Sequence, residues 1–128
     1  MLKACSIYLM KSLIKSLSYA LGGLRSALKS ERNLRIHIVA MCLSVALGFY
    51  LGLSLVEWGF VIFAIGFVLV AELFNTAMER LGDETANGKQ KQTIKKAKDT
   101  AAAAVLLSAI TALVIGVLFL IVPLVERF

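Results

Sequence analysis

The sequence predicts an all-α integral membrane protein, with an N-terminal amphipathic surface helix followed by three transmembrane helices. Three observations lead there. The chain is 59% apolar, has a mean hydropathy of +0.85 and contains a single proline, a composition foreign to a soluble domain of 128 residues. Three apolar runs, at about residues 36–56, 58–78 and 101–124, are each long enough to cross a hydrocarbon core about 30 Å thick. Thirteen of the fourteen lysines and arginines stand before the first run or between the second and third, and only Arg127 lies elsewhere. Residues 1–128 are read as one membrane domain.

The surface helix covers residues 3–30. Lys3, Lys11, Lys15, Arg25 and Lys29 alternate with Ile7, Leu9, Leu13, Ile14, Leu17, Leu21, Leu24 and Leu28. Such a helix lies in the membrane interface, lysines toward anionic headgroups and leucines in the acyl boundary. Lys11 and Lys15 also interrupt the apolar stretch, which argues against a cleavable signal peptide. The polar cluster Glu31-Arg32-Asn33-Leu34-Arg35-Ile36-His37 stands at the door of the first span. A short turn at 52–57 leads into the second span, with Trp58 as an interfacial anchor. From Arg80 to Lys98 the chain is polar, and Gly82, Asn87 and Gly88 predict a loop. The third span opens with Ala101-Ala102-Ala103-Ala104, small residues that let another helix come close.

The distribution of lysine and arginine places the surface helix and the 80–98 loop in the cytoplasm, and the 52–57 turn and the C-terminus outside. The net charge of +6 suits anionic lipid headgroups or a polyphosphate. It does not suggest nucleic acid, because no aromatic-studded basic patch accompanies it. Cys5 and Cys42 lie in different segments, with neither the pattern of a disulfide framework nor metal-site spacing.

The chemistry concentrates between Glu72 and Asp83. A charged side chain deep in a bilayer costs roughly 2.5–3.5 kcal/mol or more, so one that persists usually has a function. At about 100° per residue, Glu72, Asn75, Glu79 and Asp83 fall within an arc of roughly 80° on one helix face. At about 1.5 Å per residue that face descends some 16 Å from hydrocarbon toward water. Two separated carboxylates near a polyphosphate suit a divalent metal such as Mg2+, which borrows its remaining ligands from phosphate oxygens and water. A carboxylate higher in the membrane suits a general base acting on a lipid hydroxyl, because burial raises its pKa. Lys98 and Asp99, at the start of the third span, offer phosphate charge compensation and a polar tether. No Walker-type phosphate loop and no soluble-kinase signature is present.

Glu72-Leu73-Phe74-Asn75-Thr76-Ala77-Met78-Glu79, with Asp83 four residues on, closely resembles the signature of the small prokaryotic diacylglycerol kinase/undecaprenol kinase family. The stretch Ala97-Lys98-Asp99-Thr100 and the alanines up to Val105 resembles the family's second block. Gly22-Gly23-Leu24-Arg25 and the 31–37 cluster are similar to its entry into the first span, in a form closer to the undecaprenol-kinase branch. The resemblance runs from about residue 16 to 122. It implies a homotrimer of three-span subunits sharing active sites at the cytoplasmic interface of the bacterial inner membrane. It further implies ATP-dependent phosphorylation of a lipid alcohol, undecaprenol first and diacylglycerol as the alternative. Carried over by position, Glu72 is the catalytic base, and Glu31 and Glu79 hold the divalent metal on ATP. Tyr19, Lys98 and Asp99 lie on the nucleotide side, while Arg25, Arg35, Asn75 and Asp83 are polar residues of the site. The chain departs from the family at Gly82, where valine is common, and in the lysine-rich loop at 84–94.

Taken singly, these residues have plainer readings. Glu72 would serve helix association, Glu31 and Arg35 would form a helix-surface pair, and Lys98 and Asp99 would be ordinary helix-start charges. His37 reads as structural or headgroup-facing. A small transporter or a non-enzymatic assembly protein are the competing function classes. The first would carry a mid-membrane charge within paired repeats, and no repeat is visible. The second leaves three carboxylates on one face unexplained.

Overall fold

The computed structural model describes the backbone of residues 2–86 and 92–128, with side chains described at 10–85 and 92–128. The expected loop formers Asn87 and Gly88, with Lys89 and Lys91, lie outside the described residues, as do the side chains of Lys3, Cys5, Ile7 and Leu9. The order of elements is α1 (Leu2–Ser30), α2 (Arg32–Leu51), α3 (Leu55–Ala86), α4 (Gln92–Gly116), a π-helical turn (Val117–Ile121) and α5 (Val122–Glu126). Three stretches are long and apolar enough to cross a membrane: Arg32–Leu51, Leu55–Thr85 and Gln92–Glu126, of 20, 31 and 35 residues. The chain divides into two compact units, Met1–Arg32 and Asn33–Phe128.

In the second unit, α2 stops where Gly52 turns to φ +72°, a left-handed conformation that glycine adopts without a Cβ penalty. The Leu53 amide donates to the Gly48 carbonyl at 3.2 Å and the Gly52 amide to Phe49 at 3.3 Å, the paired bonds of a Schellman stop. The next helix begins at once. The Ser54 amide donates to the Glu57 carboxylate at 2.7 Å, and the Glu57 amide donates to the Ser54 hydroxyl at 3.4 Å, a reciprocal capping box. Trp58 folds back over α2, its ring 4.8 Å from that of Phe49. The indole occupies the space a side chain at Gly48 would need, since a Cβ there would sit 2.9 Å from the tryptophan ring. Arg127 closes the same end of the unit, donating to the Tyr50 carbonyl at 2.9 Å with its guanidinium 5.1 Å from the Tyr50 ring centre.

Two predicted boundaries are corrected. The second span does not give way to a loop near 80; α3 stays helical to Ala86 and α4 begins at Gln92. Gly82 is buried rather than in a turn, and a Cβ there would meet Ile94 at 3.0 Å and Lys98 at 3.2 Å. The missing side chain thus lets α4 lie against the α3 backbone, and this contact offsets the roughly 1 kcal/mol that glycine costs a helix. The helix that carries the third span begins at Gln92, ahead of Ala101, and is broken by the π-helical turn. Pro123 has no amide hydrogen and its ring crowds the carbonyl four residues back. The helix widens just ahead of it, and the Val122 amide bonds to Val117, five residues back.

The Gly48 contact separates two otherwise similar substitutions. Gly48→Ala is expected to lower the melting temperature in detergent micelles and to change the Trp58 emission. Gly59→Ala has nothing within 4 Å of its new Cβ and should be neutral or raise the melting temperature, because alanine favours helix by about 1 kcal/mol over glycine. Equal shifts for both would refute the packing role given to Gly48.

Candidate functional site

The buried positions of α3 trace one line. Val61, Ala64, Val68, Glu72 and Thr76 are all buried, and Glu72 is only 2% exposed. At about 100° per residue Val61, Val68, Glu72 and Glu79 lie within roughly 40° of one another, so an apolar core stripe runs straight into the acidic one. Exposure then rises along the helix. Asn75 and Glu79 are half-buried, and the Asp83 side chain is 74% exposed. The structure therefore has the gradient from apolar interior to water that the sequence face implied.

Neighbouring groups hold the acidic face in register. The Asn75 amide donates to the Glu79 carboxylate at 3.1 Å across one helical turn. From α4, the Lys98 ammonium reaches Asp83 at 2.7 Å, and Glu79 also acts electrostatically on Lys98. An exposed pair of this kind adds little stability; its effect is to place one cation beside two carboxylates. Gly82 makes that reach possible, because the Lys98 stem lies over it. Gly82, read from sequence as a loop former and as a departure from the family pattern, is thus a packing position.

The other candidates are spread more widely. Tyr19, Arg25 and Glu31 belong to the first unit. Tyr19 is exposed with the Lys15 ammonium 5.8 Å from its ring centre, Arg25 is exposed, and Glu31 accepts a hydrogen bond from the Ser30 hydroxyl at 2.9 Å. Arg35 and Asp99 are exposed in the second unit. Two buried polar residues carried no role in the sequence reading. Thr76 sits one turn beyond Glu72. Ser108 is fully buried on α4, and its hydroxyl donates to the Val105 carbonyl at 2.8 Å. A small hydroxyl that satisfies itself within its own helix is the only sequence signal Ser108 offers, and it is a weak one.

The polar groups present suit Mg2+. Among the described residues no three histidine, cysteine or acidic side chains converge, so a metal here would take few protein ligands. Glu79 would provide a carboxylate. The buried Oδ1 of Asn75 has no hydrogen bond among the described residues and would offer a second hard oxygen. Magnesium accepts such a sparse set because it keeps waters and takes phosphate oxygens from its substrate.

The family profile described as prokaryotic diacylglycerol kinase matches residues 18–120. An undecaprenol kinase of Bacillus subtilis is 36% identical over 104 residues, covering 81% of this chain and 84% of that protein. A diacylglycerol kinase of Synechocystis sp. is 34% identical over 115 residues, 90% of this chain and 66% of its own length. A diacylglycerol kinase of Escherichia coli K12 is 29% identical over 102 residues, 80% of this chain and 83% of that one. The chain belongs to the prokaryotic diacylglycerol kinase family of membrane lipid kinases.

Proposed function

We propose that this kinase transfers the γ-phosphoryl group of ATP to the hydroxyl of undecaprenol at the cytoplasmic face of the bacterial inner membrane. The observation that carries the reading is the sealed carboxylate of Glu72, at the point where the apolar stripe of α3 becomes polar. Similarity to a relative named undecaprenol kinase supports the lead substrate. Diacylglycerol is the second reading, supported by the relatives named for it.

In this mechanism Glu72 takes the proton from the lipid hydroxyl as its oxygen bonds to the γ-phosphorus. The bond from that phosphorus to the bridging oxygen breaks, and ADP leaves with the electron pair. Asn75 fixes the Glu79 carboxylate, while Lys98, held over Gly82 and oriented by Asp83, faces the phosphates with Asp99. Mg2+ held by Glu79 and the Asn75 Oδ1, with Glu31 as the family resemblance implies, would neutralise charge on the polyphosphate. Catalysis is then mainly positioning and electrostatics, as for phosphoryl transfer in general.

The first unit carries three further candidates, whose roles rest on the family resemblance. On α1, Leu13, Leu17, Leu21, Leu24 and Leu28 share an arc of about 80°, and Lys11, Lys15, Arg25 and Lys29 share another beside it. We infer an interfacial helix that brings Tyr19, Arg25 and Glu31 to nucleotide across the boundary of a homotrimer, with Arg35 at the entrance.

Two experiments test these roles in protein purified into lipid bilayers with Mg-ATP and either lipid. Glu72→Gln should lower kcat by at least about 100-fold, the lower range for loss of a general base, without changing oligomeric assembly, and Glu79→Ala should abolish turnover. Retained turnover in Glu72→Gln would remove the base from the mechanism; lost assembly with it would favour the assembly-protein reading. Gly82→Val tests the nucleotide side, because its branched side chain must displace Ile94 and Lys98. The KM for ATP is expected to rise about tenfold with the lipid KM unchanged, and an unchanged ATP KM would detach Lys98 from nucleotide binding.

A further inference from the structure

Among the described residues, the largest fully buried side chains come one from each long helix of the second unit: Leu34 from α2, Glu72 from α3 and Ser108 from α4. The contacts between the helices put all three at one level. Trp58 of α3 lies against Gly48 of α2. Equal numbers of residues along the two helices from that contact lead from Trp58 to Glu72 and from Gly48 to Leu34. The next pair is antiparallel too. Gly82 lies against Ile94 and Lys98, Phe60 stacks on Phe119 at 5.2 Å, and Val68 borders the same groove as His37 and Ala112. Between those contacts the α4 residues level with Glu72 are Leu106 to Ser108, and of these Ser108 alone is buried. Ser108 also shares an arc of about 80° with Ile94, Lys98 and Phe119, the α4 residues that meet α3. The candidate base therefore sits in a layer with one leucine and one hydroxyl.

We propose that Ser108 is a positioning residue for Glu72, orienting its carboxyl group both before and after the proton arrives. The inference rests on the kinase reading, in which Glu72 is the base. A buried carboxyl group is costly in either form unless it is hydrogen-bonded, and Leu34 offers neither donor nor acceptor. A serine hydroxyl offers both. In this structure Ser108 donates its proton to the Val105 carbonyl at 2.8 Å, which leaves the Oγ lone pairs to accept from a protonated Glu72. Rotation about the Cα–Cβ bond turns the same proton toward an ionised Glu72, and the Val105 carbonyl keeps its helical hydrogen bond. One side chain thus holds the carboxyl group through the transfer, and its own proton count never changes. The plainer role for Ser108 is that of a small residue that lets α3 and α4 approach. That role makes the opposite prediction: alanine would serve as well as serine, and threonine would serve worse.

The test uses the purified protein in phosphatidylcholine bilayers, with Mg-ATP and either undecaprenol or diacylglycerol. Ser108→Ala should lower kcat about tenfold, the scale of one hydrogen bond to a charged group, with the KM for lipid and for ATP within about twofold of the wild type. Ser108→Thr, which restores the hydroxyl, should recover most of the loss. Thr111→Ala removes a hydroxyl that bonds its own helix in the same way, to the Leu107 carbonyl at 2.9 Å, but on an exposed face; it should match the wild type. In a Glu72→Gln background Ser108→Ala should cost nothing further. A second readout does not depend on turnover. Infrared difference spectra against Glu72→Gln isolate the carboxyl stretch of Glu72, which should shift in Ser108→Ala and return in Ser108→Thr. Wild-type kcat or an unmoved band in Ser108→Ala would overturn the role, and so would a threonine variant less active than the alanine one. A shifted band without turnover of either lipid by the wild type would uphold the Ser108–Glu72 contact while removing the kinase reading.

Discussion

Glu72 is 2% exposed, with Val68 below it and Thr76 above it on the same buried line. Removing a carboxylate from water is expensive, and the cost falls if the group protonates or gains partners. The chain places this residue where both remedies are close: one turn further along α3 begin the polar groups, with Asn75 bonded to Glu79 at 3.1 Å. In the proposed mechanism, the position of Glu72 along the helix axis sets both its environment and the level at which a membrane-bound hydroxyl must arrive.

That level holds only if α3 is fixed along its axis. At its start, the Gly52 stop and the Ser54–Glu57 capping box tie α2 to α3, and Trp58 packs into the gap left by Gly48. Toward its other end, Gly82 brings α4 against α3, so that Lys98 meets Asp83 at 2.7 Å. Two glycines, at opposite ends of the span, thus do the same work through close approach. Neither contact is strong by itself. Together they fix the helix at both ends, which a surface ion pair alone would not do.

Much of this was legible in the chain. The three apolar runs, the grouping of cations and the acidic face from Glu72 to Asp83 rest on periodicity and length, which survive without coordinates. The extent of α3 was not legible, because Gly82 and a run of polar residues read as a loop. Only the position of Ile94 and Lys98 shows that the glycine is a contact. The π-helical turn was signalled by Pro123, but a proline near a helix end has several outcomes. His37 illustrates the deeper limit. Its spacing from Ser44 puts both on one face of α2, yet no one-dimensional pattern says that this face borders a groove formed with α3 and α4.

The placement of Glu72 bears on how one small site keeps two very different substrates apart. A lipid alcohol is confined to the bilayer, while a nucleotide is confined to water, and the phosphoryl group must cross the boundary between them. In the arrangement proposed here the two never share a path. The lipid approaches within the bilayer, and the nucleotide approaches from the side of Asp83 and Lys98. Glu72 lies where the two tracks end.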